Sequence, residues 1–285
     1  MIRFKGFSKD EEVDLRNFIE ENSEYLSKKP DFKSDVINMA VDNNGIVALC
    51  LLQDNHFHPY RKYSYVYVPR EYRGNGIGSE LHDFSVRQSG NGKYQFATSS
   101  DDDNAKGFLH YLNYKLARKC FEYEVVEKDL IHVDGFPKLD MIPLINLQTS
   151  DYEKVIQLNY RHYRRTHDSI NPLNEAISVE KWKDYIEEEI DLKSSFTYFQ
   201  DDLPVFYAFL TKPEDEEIEL MYFGAEKSQS VSDVRNFYLN MFNRTFEKNE
   251  TIIFEVDDVD KIGIIVTGLF KRKPPVSWDT YILNK

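Results

Sequence analysis

Residues 72–81 have the sequence Tyr72-Arg73-Gly74-Asn75-Gly76-Ile77-Gly78-Ser79-Glu80-Leu81. Together with the segments on either side, this stretch indicates the fold of the first half of the chain. An alternating aromatic run at 63–68 precedes this stretch and predicts a β-strand, and residues 79–87 predict a helix after it. A strand, a glycine-rich turn and a helix start form a phosphate-binding device, because the first N–H groups of a helix lack partners within the chain. Glycines let that backbone take positive φ and approach a ligand closely.

The glycine spacing excludes two common kinds of phosphate-binding turn. Gly74, Gly76 and Gly78 are each two residues apart, so the turn reads G-x-G-x-G. Dinucleotide-binding turns read G-x-G-x-x-G, and P-loops end in a lysine that is missing here. The turn therefore belongs to neither of these two classes.

The wider stretch resembles the acetyl-CoA pyrophosphate loop of the GNAT-type N-acetyltransferases. The family pattern R/Q-x-x-G-x-G/A falls on Arg73, Gly76 and Gly78, after a valine-proline pair at 68–69. Three residues separate that proline from the arginine, where the family usually has two. The resemblance implies acetyl-CoA as co-substrate. It also implies these cofactor-binding residues: Val66, Val68, Arg73, Gly74, Asn75, Gly76, Ile77, Gly78, Ser79, Asn104, Phe108 and Tyr111.

A second GNAT signature, N-x-x-A-x-x-F-Y-x-x-x-G-F, falls on residues 102–114. Ala105 and Phe108 match it, and Asn113-Tyr114 is a variant of its Gly-Phe end. Leu109 replaces the signature tyrosine, which in the family is the usual general acid. In its absence, we predict His110 and Tyr111 on the same helix as the catalytic residues.

Other residues also qualify as the general base that accepts a proton from an amine. They are His56 and His58 before the fourth predicted strand, and the acidic run Asp101–Asp103 after the fifth. Each also has a simpler explanation, because loop histidines are mostly solvated and aspartates before a helix commonly cap it. The sequence leaves the choice open.

The second half of the chain repeats the order of predicted helices and strands. Its loop at 224–230 has one glycine, no arginine in the matching position and an acidic residue where an anion would bind. We therefore expect two tandem GNAT-like domains, residues 1–138 and 139–285, as in mycothiol synthase-like enzymes, with pyrophosphate binding lost from the second. The expected fold class is α+β, with a mostly antiparallel, splayed mixed sheet flanked by helices in each domain.

Composition excludes several classes of protein. The chain has 285 residues, of which 41% are hydrophobic and 30% charged, and no apolar run reaches the length of a membrane span. The net charge of −13 argues against nonspecific nucleic-acid binding. It is compatible with a cationic substrate, and equally with surplus acid that serves solubility alone. Without a signal-peptide core, and with two cysteines in apolar stretches that lack metal-ligand spacing, we expect a cytoplasmic protein with buried thiols and no metal.

The leading hypothesis is an acetyl-CoA-dependent N-acetyltransferase that acts on an amine of a small molecule or peptide. The alternative is an acyl-CoA-binding or sensing protein without turnover, which the missing tyrosine favours. A transferase that uses charged tRNA is disfavoured by the acidic charge. We expect a monomer that acts as a pseudo-dimer, with no nucleic-acid or membrane partner. Candidate acceptor-groove residues are Tyr63, Tyr65, Tyr67, Tyr207, Glu219, Tyr222, Asp257 and Asp258.

Overall fold

The chain consists of two compact units. The computed structural model describes residues 1–24, 26, 28–90, 92–133, 135–214 and 217–284. Unit 1 contains Met1–Ala117 together with the C-terminal residues from Thr280, and unit 2 contains Arg118–Asp279. The end of the chain therefore belongs to the first unit. The boundary expected at 138/139 follows the order of the sequence repeats instead, and it stays a prediction.

The described residues form twelve strands and seven α-helices. The strands are β1 (Arg3–Gly6), β2 (Val36–Asp42), β3 (Gly45–Gln53), β4 (Lys62–Tyr67), β5 (Lys93–Ser99), β6 (Lys115–Val126), β7 (Ile142–Pro143), β8 (Phe196–Gln200), β9 (Leu203–Leu210), β10 (Glu217–Ala225), β11 (Thr251–Asp257) and β12 (Trp278–Asn284). The helices are α1 (Glu12–Glu21), α2 (Ile77–Ser89), α3 (Asp103–Tyr111), α4 (Thr149–His167), α5 (Val179–Glu189), α6 (Val231–Phe246) and α7 (Lys261–Thr267).

The sheet of unit 1 has the strand order β1-β2-β3-β4-β5-β12. Strands β1 to β4 form successive antiparallel pairs, and β5 pairs with β4 in parallel. A parallel neighbour needs a crossover connection, which α2 supplies between β4 and β5. The glycine loop that starts α2 therefore lies where the chain leaves β4.

Helices cover both faces of the unit 1 sheet. Leu15, Phe18 and Ile19 of α1 pack on one face, together with Tyr65 and Tyr67 of β4. Helices α2 and α3 pack on the other face, where Leu81 and Leu109 are in the core. Because side chains alternate along a strand, β4 has a tyrosine face toward α1 and a valine face toward α2.

Unit 2 repeats this plan with the strand order β6-β11-β10-β9-β8-β7. Strands β8, β9 and β10 are antiparallel neighbours, β10 and β11 are parallel, and β11 pairs with β6 in antiparallel register. Helices α6 and α7 pack in the main core of this unit. The mixed, mostly antiparallel α+β fold that the sequence predicts for both halves is confirmed.

Several element boundaries differ from those that the sequence predicts. The first strand, β1, carries too weak an apolar pattern to be found by alternation, and it is ordered by its pairing with β2. The sequence predicts a strand over residues 120–126, whereas β6 begins earlier, at Lys115. It also predicts a helix over residues 261–270, whereas α7 ends at Thr267 and Phe270 forms a β-bridge with Leu130. Tertiary pairing thus places β1 and Phe270.

No helix in the described part of the chain is long and apolar enough to cross a membrane.

We predict that Leu283 stabilises unit 1 although it lies near the C-terminus. Its side chain is buried in the core formed with α2 and α3. Leu283→Ala should lower the free energy of unfolding by about 2–4 kcal/mol, because it leaves a cavity in a packed core. Urea unfolding of the full chain measures this. Leu116→Ala is the matched control at an exposed position and should change stability little; equal effects of the two changes would contradict the assignment of the last strand to this core.

We also predict that neither cysteine reacts in the native protein. Burial raises the pKa of the Cys50 thiol to about 12, and burial beside Asp257 and Glu255 raises the pKa of Cys120. A raised pKa keeps a thiol protonated and unreactive, because the thiolate is the nucleophile. Ellman's reagent at pH 8 should therefore label the folded chain only slowly and the urea-unfolded chain at both cysteines. Rapid labelling of the folded chain would contradict the burial of these thiols.

Candidate functional site

The loop between β4 and α2 has the backbone of a ligand cradle. One 3-10 turn at Arg70–Tyr72 follows Pro69. Gly74 and Gly76 then take left-handed conformations, with φ of 79° and 78°. For a residue with a Cβ, such a φ is less stable by about 1–2 kcal/mol. The spacing G-x-G thus marks the two positions where the chain must turn.

Helix α2 starts without a side-chain cap. Its N-cap is Gly76, and Gly76 has no side chain that could accept hydrogen bonds from the first turn. The N–H groups of Ile77, Gly78 and Ser79 lie in that turn, so none has an acceptor within the helix. Together with the helix dipole, they favour a negatively charged group in front of the helix.

Gly78 brings α2 into close contact with β4 and α3. A Cβ at this position would lie 3.2 Å from Cγ2 of Val68, 3.4 Å from the Phe108 ring and 3.7 Å from Cγ1 of Val66. Such spacing leaves almost no room for another carbon. The structure therefore gathers four of the predicted cofactor residues, Gly78, Val66, Val68 and Phe108, at one point.

Arg73 is oriented by the end of β4. Its Nε donates a hydrogen bond to the Val68 carbonyl at 2.8 Å, and its backbone N–H donates to the Arg70 carbonyl at 3.2 Å. Its backbone amide, predicted to contact pyrophosphate, is therefore already engaged. The guanidinium keeps four of its five N–H donors, since the contact with Val68 uses one. The side chain of Asn75 donates to the carbonyls of Tyr72 and Arg73 and closes the loop on itself.

Strands β4 and β5 pair only at their starts. The ladder between them consists of the residue pairs Lys62–Tyr94 and Tyr63–Gln95 among the described residues. The later residues of β4, from Ser64 onward, keep their pairs with β3. A gap therefore opens between the two parallel strands toward the end where the glycine loop begins.

Helix α3 turns its predicted catalytic residues toward solvent. Leu109, at the place of the signature tyrosine, is fully buried at 0% exposure, whereas Tyr111 is 72% exposed. His110 and Asn104 are exposed as well. The proposed roles of His110 and Tyr111 in catalysis, and of Asn104 and Tyr111 in cofactor binding, stay predictions, and these exposed positions add no support to them.

At the end of α3, Asn113 takes the place of the signature glycine. Asn113 takes a left-handed φ of 63°. Its N–H donates to the His110 carbonyl, and the N–H of Tyr114 donates to the Leu109 carbonyl. These two bonds form a Schellman motif, in which asparagine is the usual substitute for glycine.

A buried hydrogen bond between α2 and the end of α3 escaped the sequence reasoning. His82 Nε2 and the Tyr114 hydroxyl are 2.8 Å apart, and both side chains are buried. Burial raises the pKa of Tyr114, so its hydroxyl stays protonated. A sequence signal existed, because His82 and Ser85 share the core-facing side of α2 with Leu81 and Val86.

The other base candidates have ordinary structural positions. The Asp102 side chain accepts from the Ala105 N–H at 2.9 Å and caps α3, while Asp101 and Asp103 are exposed. In the preceding loop, His56 is exposed and His58 is buried. The capping role expected for the acidic run is thus present for Asp102.

The tyrosine face of β4 is largely packed. Tyr65 and Tyr67 contact the α1 core, and the Tyr67 hydroxyl donates to Asn22 Oδ1 at 2.8 Å. A small cavity of about 30 Å³ lies beside them. That volume suits a water rather than an acceptor molecule.

In unit 2, most of the acceptor candidates already have partners. Tyr207 is buried, and the Tyr222 hydroxyl donates to Glu189 at 3.2 Å. Asp257 accepts from Arg118 at 2.8 Å, and Asp258 accepts from the Lys119 N–H at 2.9 Å. Glu219 is exposed overall, and partial desolvation of its carboxyl together with nearby glutamates raises its pKa.

The start of α6 in unit 2 contrasts with the start of α2. Ser230 is its N-cap, accepting from the Asp233 N–H at 3.2 Å and donating to the Asp233 carboxylate at 2.6 Å. The Ser230 hydroxyl thus accepts from one N–H of the first helical turn, and the Asp233 carboxylate places a negative charge at the same helix start. The difference agrees with the expected loss of anion binding in the second copy.

Comparisons with known proteins agree with this geometry. Residues 6–114 match the model of the Acetyltransferase (GNAT) family. A search of curated protein sequences gave no significant match. Two solved structures with similar folds are a GCN5-related N-acetyltransferase from Sphaerobacter thermophilus and an acetyltransferase from the GNAT family from Colwellia psychrerythraea. The first is 10% identical and has a TM-score of 0.60, with 99% of this chain and 95% of its own covered. The second is 12% identical and has a TM-score of 0.54, with 99% and 100% covered.

A third similar structure is a tandem GNAT protein from the clavulanic acid biosynthesis pathway, solved without AcCoA. It is 10% identical, has a TM-score of 0.50, and the match covers 100% of this chain and 98% of that one. Identities this low show the fold alone, while the family match covers residues 6–114, which include the glycine loop and α3. Residues 6–114 are therefore similar to the GNAT family of acetyltransferases, and over its whole length the chain has the GNAT acyltransferase fold.

Proposed function

We propose that the protein is an acetyl-CoA-dependent N-acetyltransferase whose acceptor is an amine of a small molecule or peptide. The observation that carries the proposal is the uncapped start of α2 behind two left-handed glycines, at the end of a strand that separates from its parallel neighbour. The match of residues 6–114 to the GNAT family supports acyl transfer in general. The donor and the class of acceptor are our proposal.

The residues of the loop fit the pyrophosphate of coenzyme A. The N–H groups of Gly74 to Ser79 would hold the phosphate oxygens, and the exposed Arg73 would add a positive charge. Gly78 fits this role because its missing Cβ lets α2 start against Val66 and Val68. Acetyl-CoA would supply an acetyl group activated as a thioester. A backbone N–H near Val66 or Val68 would polarise its carbonyl, as an oxyanion contact does.

Acetyl transfer also needs an amine in its neutral form beside the thioester. Holding the two reactants together would supply much of the rate, so few side chains are required for chemistry. His110 and Tyr111 are our candidates for proton transfer. Leu109 has no ionisable group, and its burial keeps it in the core rather than at a reacting centre.

The leucine at position 109, where the family has a general-acid tyrosine, favours a second function without catalysis. An acyl-CoA-binding or sensing protein would keep the glycine loop and need no general acid. Acetyl-CoA consumption with a panel of small amines and amino-terminal peptides separates the two functions. Coenzyme A release that depends on the amine supports the transferase, and binding without release across the panel supports the sensor.

We predict that Gly76→Glu abolishes acetyl-CoA binding. The change places a carboxylate at the start of α2 and a Cβ on a residue with φ of 78°. Calorimetry of the folded wild type should show one acetyl-CoA per chain, because α6 carries its own cap, and no binding to the variant.

Gly90→Glu is the matched control for this experiment. Gly90 ends the same helix with φ of 79° and ψ of 177°, and open space surrounds it. The change adds the same charge, and its backbone strain is at least as large because this conformation is essentially restricted to glycine. Acetyl-CoA should bind this variant as it binds the wild type. Unchanged affinity of Gly76→Glu, or a second site of similar affinity in the wild type, would contradict the assignment.

A further inference from the structure

Unit 2 contains a cavity of about 440 Å³ that plays no part in the proposed acetyl transfer. Helix α4 forms one wall, the turn between β8 and β9 forms a second, and the loop at 224–230 forms the third. This loop occupies the place that the glycine loop has in unit 1, between the fourth strand and the following helix of the repeat. Every lining residue belongs to unit 2.

The three walls are tied together by polar contacts. Arg161 of α4 donates to Glu226 of the loop at 2.5 Å, and the N–H of Glu226 donates to the Val205 carbonyl at 2.9 Å. Lys154 donates to the Asp202 carbonyl of the turn at 3.4 Å. These contacts fix the cavity before any ligand enters, as in most small-molecule sites.

The cavity carries both signs of charge on opposite sides. Lys154 and Arg161 are seven residues apart on α4, which places them about 10 Å apart along the helix. Asp201 and Glu226 face the cavity from the other two walls. Lys154 also donates to the Asp151 carboxylate at 2.8 Å and so keeps one of its three N–H donors, while Arg161 keeps the donors that Glu226 does not use. A purely anionic ligand would meet two carboxylates here, and a purely cationic one would meet two cations.

The remaining lining suits an amide group and a short apolar segment. Gln157, Gln200 and Gln229 each offer a donor and an acceptor, which matches the pattern of a peptide bond. Pro204 and Val205 are buried and provide an apolar floor. The volume lies within the range of small-molecule pockets.

We propose that this cavity binds a small zwitterion, an α-amino acid or a dipeptide. Its carboxylate pairs with one of the two cations, Lys154 or Arg161, and its ammonium group pairs with Asp201. The proposal is independent of acetyl transfer in unit 1, because it rests only on residues of unit 2.

Thermal-shift measurements on the full chain test the ligand class. The probes are the standard amino acids and their glycyl dipeptides at millimolar concentration, with inorganic phosphate and putrescine as single-charge probes. At least one zwitterion should raise Tm, and its N-acetyl and C-amide derivatives should bind at least about fivefold more weakly, because each lacks one charge. No stabilising zwitterion, equal binding of the blocked derivatives, or tighter binding of phosphate or putrescine would overturn the proposal.

A pair of neighbouring substitutions tests the position. Asp201 and Asp202 both have positive φ in the β8–β9 turn, at 49° and 62°, and asparagine tolerates this conformation. Of the two side chains, only that of Asp201 lines the cavity. Asp201→Asn should weaken calorimetric binding of the identified zwitterion about fivefold. Asp202→Asn should leave it unchanged, and both variants should bind acetyl-CoA like the wild type. Equal effects of the two changes would place the ligand elsewhere.

Discussion

The close approach of α2 to β4 at Gly78 is the contact on which the site in unit 1 depends. A Cβ here would lie only 3.2 Å from the nearest valine carbon, so any other residue would require Val68 or the helix to shift by a few tenths of an ångström. The same glycine also touches Phe108, so the spacing of both GNAT signatures is linked through one packed point.

The two units show how one plan accommodates different helix starts. In unit 1 the first turn of α2 is left without a side-chain acceptor, which costs stability unless water or a ligand satisfies it. In unit 2 Ser230 and Asp233 satisfy the start of α6 from within. The loop before α6 is instead tied by Glu226 to α4. At the position that the glycine loop has in unit 1, the loop of unit 2 thus lines a cavity of mixed charge.

Each unit also buries a histidine–tyrosine hydrogen bond. In unit 1 it joins His82 to Tyr114, and in unit 2 it joins His162 Nδ1 to Tyr207, again at 2.8 Å. The ring of His162 fits only because Gly224 has no Cβ, which would lie 2.3 Å from that nitrogen. Buried polar pairs restrict a core to one arrangement, because any other packing would leave their donors and acceptors unsatisfied.

The sequence by itself determined the features that depend on local backbone chemistry. The positive φ of Gly74 and Gly76, the capping by Asp102 and the alternation of β4 follow from residue type and spacing, since neighbouring atoms decide them. The burial of Leu109 beside an exposed Tyr111, the His82–Tyr114 bond and the return of the C-terminal strand to unit 1 were decided only by the tertiary structure. Each of these depends on residues far apart in the chain, and no local pattern specifies which of them meet.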